Sequence, residues 1–278
     1  MKNKKAVIFW VAGAVLLAAV IALSVFFAVR SGRKEPAPEE GTSVPAVSEA
    51  EQRPVSRPVS DASSGESVPS ESAAEPSHPL VHNPDGSLKF PFYVPGTSLR
   101  VDAVRSYNGI YLEDGSDREI EGVAAAVITN TGKRCMEYAK ITLRGSKMPM
   151  EFKVTGLKAG AVMVVMENSA RPFTEQKYTA AGADAAESDP FVLCEDRIRI
   201  RELKNGELEI TNLTDRDLPT VRIFYKFYMP KEKVYVGGIT YTVRLNDLKA
   251  GVPKRVMTSH YAPGSSQIIR VKIEEKAA

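Results

Sequence analysis

The chain has 278 residues, with 37 Lys and Arg against 34 Asp and Glu, a formal net charge of +3, and 43% hydrophobic residues. That balance excludes a strongly polycationic protein built to hold nucleic acid, and the length leaves room for one large domain or two small ones. With three His and two Cys, neither a paired Cys-x-x-Cys zinc module nor a histidine-rich centre can be assembled.

Residues 1–5 form a short tail carrying Lys2, Lys4 and Lys5. Residues 6–29, AVIFWVAGAVLLAAVIALSVFFAV, contain no charge and one hydroxyl. At ~1.5 Å per residue such a helix is ~36 Å long, enough to cross ~30 Å of hydrocarbon. The span predicts a transmembrane helix held in the lipid bilayer rather than a cleaved signal peptide, whose apolar region is shorter and ends in a small-x-small site. Arg30, Arg33 and Lys34 follow the helix, so the charge bias is slight. The short basic tail favours an inside N-terminus and a single-pass cell-membrane protein with its C-terminal domains extracytoplasmic.

Residues 30–87 read as a disordered Pro/Ser/Glu-rich linker. From Ser31 to Ser87 lie nine of the eighteen prolines, ten acids against four Lys and Arg, and the echo RPVSRPVS at 53–60. The segment cannot bury enough apolar surface to offset its ordering entropy, and it reads as a spacer between bilayer and folded part.

Residues 88–278 hold most of the aromatics, in short runs rich in β-branched residues separated by turn formers. Strands are expected at 123–130, 137–145, 150–157 and 161–167, and again at 207–212, 221–229, 234–245, 255–260 and 267–275. A brief helical turn is expected in AGADAAESDP at 181–190. The class is all-β.

VITNTG at 127–132 matches EITNLT at 209–214 with an offset of 82, and LKAG at 157–160 matches 248–251 with an offset of 91. Two tandem immunoglobulin-like β-sandwich copies are therefore expected, 88–194 and 195–278. The nine extra residues are assigned to the loop of the MPKEKVYVGG hairpin, where length is tolerated. The Asn of each ITN can close an Asx turn, and the Gly of each LKAG can supply positive φ.

Helix anchor, Ser/Pro/Glu stalk and a sandwich carrying hydrophobic-T-N-x-T then L-x-x-G together resemble the membrane-anchored immunoglobulin-like envelope proteins of Gram-positive bacteria, near the group called FxLYD. The nearest approach to that signature string is NGIYLED at 108–114, which lacks the Phe. The resemblance implies an extracytoplasmic, non-catalytic module.

Catalytic and metal chemistry finds little support. Of the three His, only His260 lies in the predicted folded part, and no G-x-S-x-G or phosphate-binding loop is present. Carboxylate-based hydrolysis needs no His and stays open as a minor reading. Glu113, Asp114, Asp117 and Glu119 in LEDGSDREIE could offer oxygens to Ca²⁺, but the spacing is not that of an EF-hand and a solvated hairpin tip explains it equally well. No cofactor is predicted. Residues 88–278 carry 29 basic and 24 acidic residues, too balanced for a nucleic-acid partner. Cys135 and Cys194 are expected as thiols, with a bridge as the alternative.

The leading expectation is a module that binds an envelope protein or polysaccharide; a structural or accessory subunit of a membrane complex is the alternative. In VRIFYKFYM, alternation puts Arg222, Phe224, Lys226 and Tyr228 on one face as a candidate ligand surface of aromatics flanked by cations, against covering of the two rings by the neighbouring copy.

Overall fold

The computed structural model describes residues 79–274. The predicted tail at 1–5, the apolar span at 6–29 and the linker as far as residue 78 lie outside the described residues. Among the described residues no helix is long and apolar enough to cross a membrane.

The described chain is all-β. Its strands are β1 (Phe92–Tyr93), β2 (Leu99–Tyr111), β3 (Arg118–Asn130), β4 (Cys135–Gly145), β5 (Met150–Leu157), β6 (Val162–Met166), β7 (Tyr178–Ser188), β8 (Ile198–Glu202), β9 (Glu207–Asn212), β10 (Leu218–Met229), β11 (Val234–Leu248), β12 (Pro253–Met257) and β13 (Ser266–Glu274). A 3-10 turn at Lys204–Gly206 is the one helical element among them. The predicted helical turn in AGADAAESDP is instead part of β7, paired along β4 from Arg144–Ala180 to Cys135–Ser188. Alanine's helix preference is only tenths of a kcal/mol per residue, and pairing with a core strand outweighs it.

Three sheets form: β1-β2-β3-β6-β11-β10-β13, β12-β9-β8 and β5-β4-β7. The pairings recur along the chain. β3 pairs antiparallel with β2 and β6, as β9 does with β8 and β12. β4 pairs antiparallel with β5 and β7, as β10 does with β11 and β13. The turn chemistry recurs as well. Asn130 Nδ2 donates to Arg134 O (2.9 Å) and Leu157 O (3.2 Å), and Asn212 Nδ2 donates to Arg216 O (2.7 Å) and Leu248 O (3.1 Å). Both Asn are fully buried. Gly160 and Gly251, at φ 71° and 68°, donate their amides to the carbonyls of these same two Asn. The ITN and LKAG strings thus lock one end of each half by the same three hydrogen bonds.

One core packs Ala124, Ala126 and Ile128 of β3 against Met136, Ile141 and Phe152 of β4 and β5. Another packs Leu208 and Ile210 of β9 against Val221, Ile223 and Val271. A third apolar cluster covers the opposite face of β3 and β6, with Ala125, Val127, Val164 and Met166 meeting Phe227 and Val236 from the β10–β11 hairpin. Strand β3 is therefore buried on both faces from Val123 to Ile128, which explains why its run VAAAVI is continuously apolar instead of alternating.

The nine extra residues do not lengthen a loop. The turns at 146–149 and 230–233 are equally long, whereas β5 has eight residues and β11 fifteen. The surplus extends the hairpin arms, and Val234–Val236 pairs in parallel with Val162–Val164 of β6. The insertion is thus the element that joins the two halves into one seven-stranded sheet. Its residues are apolar, and docking them on the Val164 and Met166 face removes that face from water, the dominant favourable term in such packing.

The ordered chain also includes residues assigned by sequence to the linker. His82 Nε2 meets Thr179 O at 3.2 Å, Leu88 N donates to Tyr178 O, and Ser87 is buried, so the fold begins before residue 88.

Candidate functional site

The four residues expected on one ligand-facing surface of β10 do not share it. Arg222 and Phe224 are half-buried on one face of β10, with Phe224 packing against the edge of the β3–β5 core. Lys226 is fully buried. Tyr228 packs against the β3–β5 core and beside Tyr235, ring centroids 5.0 Å apart. The cause is an irregularity in the ladder: Tyr225 pairs with Tyr241, but Phe227 pairs with Val236, so Gly237–Thr240 of β11 bow away opposite Lys226. A bulge re-aims side chains and breaks simple alternation. Phe224 and Tyr228 both pack against the core of the first half, so covering of the two rings, the alternative raised above, is what the packing shows, with Phe224 still partly open to a neighbouring cleft.

Lys226 fills the gap that the bulge opens. Its Nζ donates to Thr155 O (3.0 Å), Gly238 O (3.3 Å), Thr240 Oγ1 (3.4 Å) and Ile239 O. From the other side Glu113 turns its carboxylate inward and accepts from Gly238 N (2.9 Å) and Met166 N (3.0 Å). Gly238 is therefore held at its carbonyl by a cation and at its amide by an anion. Burial raises Glu113 to about 7 against two backbone hydrogen bonds and the Lys226 charge, while burial lowers Lys226 to about 7 against the Glu113 charge. Gly238 admits no side chain, since a Cβ there would stand 1.8 Å from Lys153 O.

Beside this junction lies a cleft of about 520 Å³ between the two halves. Its rings are Tyr138, Phe191 and Phe224, and the strand edges of Thr155 and Thr240 form its floor. Arg270 lies 4.9 Å over the Phe191 ring and pairs with Glu137 at 2.7 Å; Lys272 Nζ lies 5.7 Å from the Phe224 ring centre. The register explains the clustering. Phe224 stands opposite Thr242 and Arg270, and Arg222 stands opposite Arg244 and Lys272. Of these, the sequence reading found Arg222 and Phe224 and missed Tyr138, Phe191, Arg244, Arg270 and Lys272. Folding 221–229 against 234–245 as a hairpin, with QIIRVKIEE alongside, was the available signal.

The acidic hairpin does not gather its carboxylates. Glu113 faces the junction, Asp114 accepts from Ser116 N (2.9 Å) in an Asx turn, Asp117 faces His260, and Glu119 is exposed. Gly115 takes φ 69° at the tip. No group of three or more His, Cys, Asp or Glu poised for a metal ion occurs among the described residues.

His260 Nδ1 lies 2.8 Å from Asp117 Oδ2, and its ring stacks on Tyr241 with centroids 4.5 Å apart. Asp117 fixes the imidazole's orientation, as an acid–base pair requires. The second ring nitrogen meets no Ser, Thr or Cys side chain within hydrogen-bond reach among the described residues, so the pair has no nucleophile beside it. Burial, reinforced by the Asp117 charge, raises the Tyr241 hydroxyl far above its usual range.

Cys135 is buried and Cys194 half-buried, with Cys194 Sγ donating to Val271 O at 3.6 Å; no bridge joins them.

Compared with known protein families, with curated proteins and with solved structures, the chain matches none.

Proposed function

We propose that the protein is a membrane-anchored, extracytoplasmic binding module made of two tandem immunoglobulin-like sandwiches. In this reading the span at 6–29 anchors it, and the cleft between the two copies takes an envelope ligand without chemistry. The observation that carries the binding role is the aromatic cleft itself. Tyr138, Phe191 and Phe224 converge there from three separate elements, and two of the rings carry cations on their faces. Large rings with few torsions give contact area at low entropic cost, and the volume falls in the range of small-ligand sites. The duplication is supported by the recurrent pairings and by the paired Asn130 and Asn212 networks. The single-pass anchor rests on the length and composition of residues 6–29.

The test is photo-cross-linking in cells. A photoreactive amino acid replacing Tyr138 in the full-length chain should capture a discrete envelope component, and Tyr138→Ser should abolish its co-purification without lowering the melting temperature; Phe191→Ser should also abolish it, with some loss of stability because that ring packs on the core as well. Replacing the 6–29 helix by an unrelated span should leave capture intact. Loss of capture on that swap alone would favour an accessory subunit acting through its helix.

A further inference from the structure

The outer face of the β11-β10-β13 layer has an electrostatic feature that packing does not account for. Arg222 stands directly opposite Arg244 on one side and Lys272 on the other, three cations in one cross-strand row. Directly opposed like charges destabilise a sheet, because their Cβ atoms lie only about 5 Å apart. Glu274 compensates one of them, meeting Arg222 Nε at 2.8 Å. Arg244 and Lys272 have no carboxylate within ion-pairing distance among the described residues. Arg244 Nε is held instead by Asn246 Oδ1 at 3.2 Å. The next row of the same face is Thr242, Phe224 and Arg270, which opens into the aromatic cleft.

The corresponding face of the β5-β4-β7 layer provides an internal control. There the row aligned with Arg222 reads Lys153, Lys140 and Asp184, with Glu151 3.9 Å from Lys140. The row aligned with Phe224 reads Glu151, Thr142 and Gly182. These two rows of the first half thus carry neutralised charge and no ring, the ring on that face of β4 being Tyr138 one step further along. Excess cation is particular to the second half.

We infer that this face and the adjoining cleft bind an anionic polysaccharide, with sugar rings stacked on Phe224, Phe191 and Tyr138 and acidic substituents on Arg244 and Lys272. The inference rests on the reading of the cleft as a ligand site and adds the chemistry of the ligand. A polymer suits the geometry because the face is open along the strands and continuous with the cleft. Acidic groups suit it because two uncompensated cations lie one row from the rings.

The full-length chain in neutral detergent micelles is titrated with oligogalacturonate as an acidic glycan, dextran as a neutral one, inorganic polyphosphate as a polyanion without rings, and phosphatidylglycerol vesicles as an anionic surface. Oligogalacturonate should bind saturably, at least tenfold more tightly than dextran or polyphosphate. Arg244→Gln with Lys272→Gln should weaken it at least tenfold while the thermal melting curve stays in place, and raised salt should do the same. Absence of saturable oligogalacturonate binding overturns the inference, as does unchanged affinity in the double variant. Equal affinity for polyphosphate would reduce the face to unspecific electrostatics, and tighter binding to the vesicles would make it a membrane-facing surface; either result also overturns it. Failure here is separable from failure of the cleft reading. Envelope capture that depends on Tyr138 but ignores Arg244 and Lys272 sinks the anionic ligand alone, whereas capture that ignores Tyr138 and Phe191 sinks the cleft.

Discussion

Replacing Lys226 by Met should reveal the energy stored at the junction. Lys226 is fully buried and its ammonium substitutes for ladder hydrogen bonds that the bulge at Gly237–Thr240 forgoes. Two of its acceptors have second donors: Thr155 O also accepts from Thr240 Oγ1 (3.2 Å), and Gly238 O accepts from Thr155 Oγ1 (2.7 Å). Ile239 O has no such substitute, so the variant leaves one carbonyl without the ammonium and the Glu113 carboxylate without the stronger of its two lysine countercharges, Lys153 remaining. Removing one partner of a buried charge pair typically costs about 3–5 kcal/mol, because the remaining charge is uncompensated. Glu113 retains two backbone amides, which places the expected cost near the lower end, about 3 kcal/mol. For a folded part of roughly 200 residues that is a fall of about 10 °C in Tm.

The assay is urea unfolding followed by calorimetry on the full-length chain in detergent. Lys226→Met with Glu113→Gln removes both charges and should recover about half or more of the loss, since replacing a buried pair is often near neutral. A single variant within about 0.5 kcal/mol of the parent would refute the reasoning, as would a double variant whose cost is simply the sum of two large single costs.

The same pair sets a pH signature. Glu113, raised from 4.5 to about 7, contributes stability that is full below 4.5 and is lost as pH rises; Lys226, lowered from 10.5 to about 7, contributes stability that is full above 10.5 and is lost as pH falls. The stability difference between parent and the uncharged double variant should therefore pass through a minimum near neutral pH, and a monotonic difference would contradict the assignment. Gly238→Ala should prevent folding or cost more than about 3 kcal/mol, read by soluble yield and melting, because a Cβ meets backbone and not a yielding side chain. Asn130→Ala and Asn212→Ala should each cost about 1–3 kcal/mol and add within about 0.5 kcal/mol, since each leaves one buried carbonyl, Leu157 O or Leu248 O, without its amide donor in a separate turn. In thiol labelling of the native chain Cys194 should react first and Cys135 only with global unfolding, as their burial differs.

Sequence pattern carried the class, the repeated ITN and LKAG locks and most strands with strong β-branched runs. It missed the two-residue β1 and the longer β2, β7 and β8. In β2 the run LRVDAVRSYNGIY mixes charge into both faces, and two register shifts against β3 blur its alternation further. In β7 the run of small residues carries no strand propensity of its own, and only the pairing with β4 specifies it. The β10 face failed for a different reason. Period-two reasoning assigns Lys226 to the surface, and a charged side chain defaults to solvent. The bulge that buries it depends on Gly237 and Gly238 eleven and twelve residues later, a non-local relation that alternation within one strand cannot express.

If the chain is a duplication, the insertion in β11 also explains why two equivalent strand edges differ. β6 has a neighbour on each side, β3 and the Val234–Val236 extension of β11. Its counterpart β12 pairs with β9 alone among the described residues. An unpaired edge invites association, and the sequence of β12 answers that liability: Pro253 removes a donor at its start, and Lys254 and Arg255 are exposed charges. The outer faces diverge in step. Where β3 and β6 present Val127 and Val164 to the covering hairpin, the aligned positions on β9 and β12 are Glu209 and Arg255, 3.1 Å apart, with Arg201 at 2.7 Å from the same carboxylate. The first half is apolar where the hairpin covers it, and the second is charged where nothing among the described residues covers it. Covering thus explains how these faces differ, and it leaves Arg244 and Lys272, cations without a carboxylate partner among the described residues, as the part of the β10 face that packing does not explain.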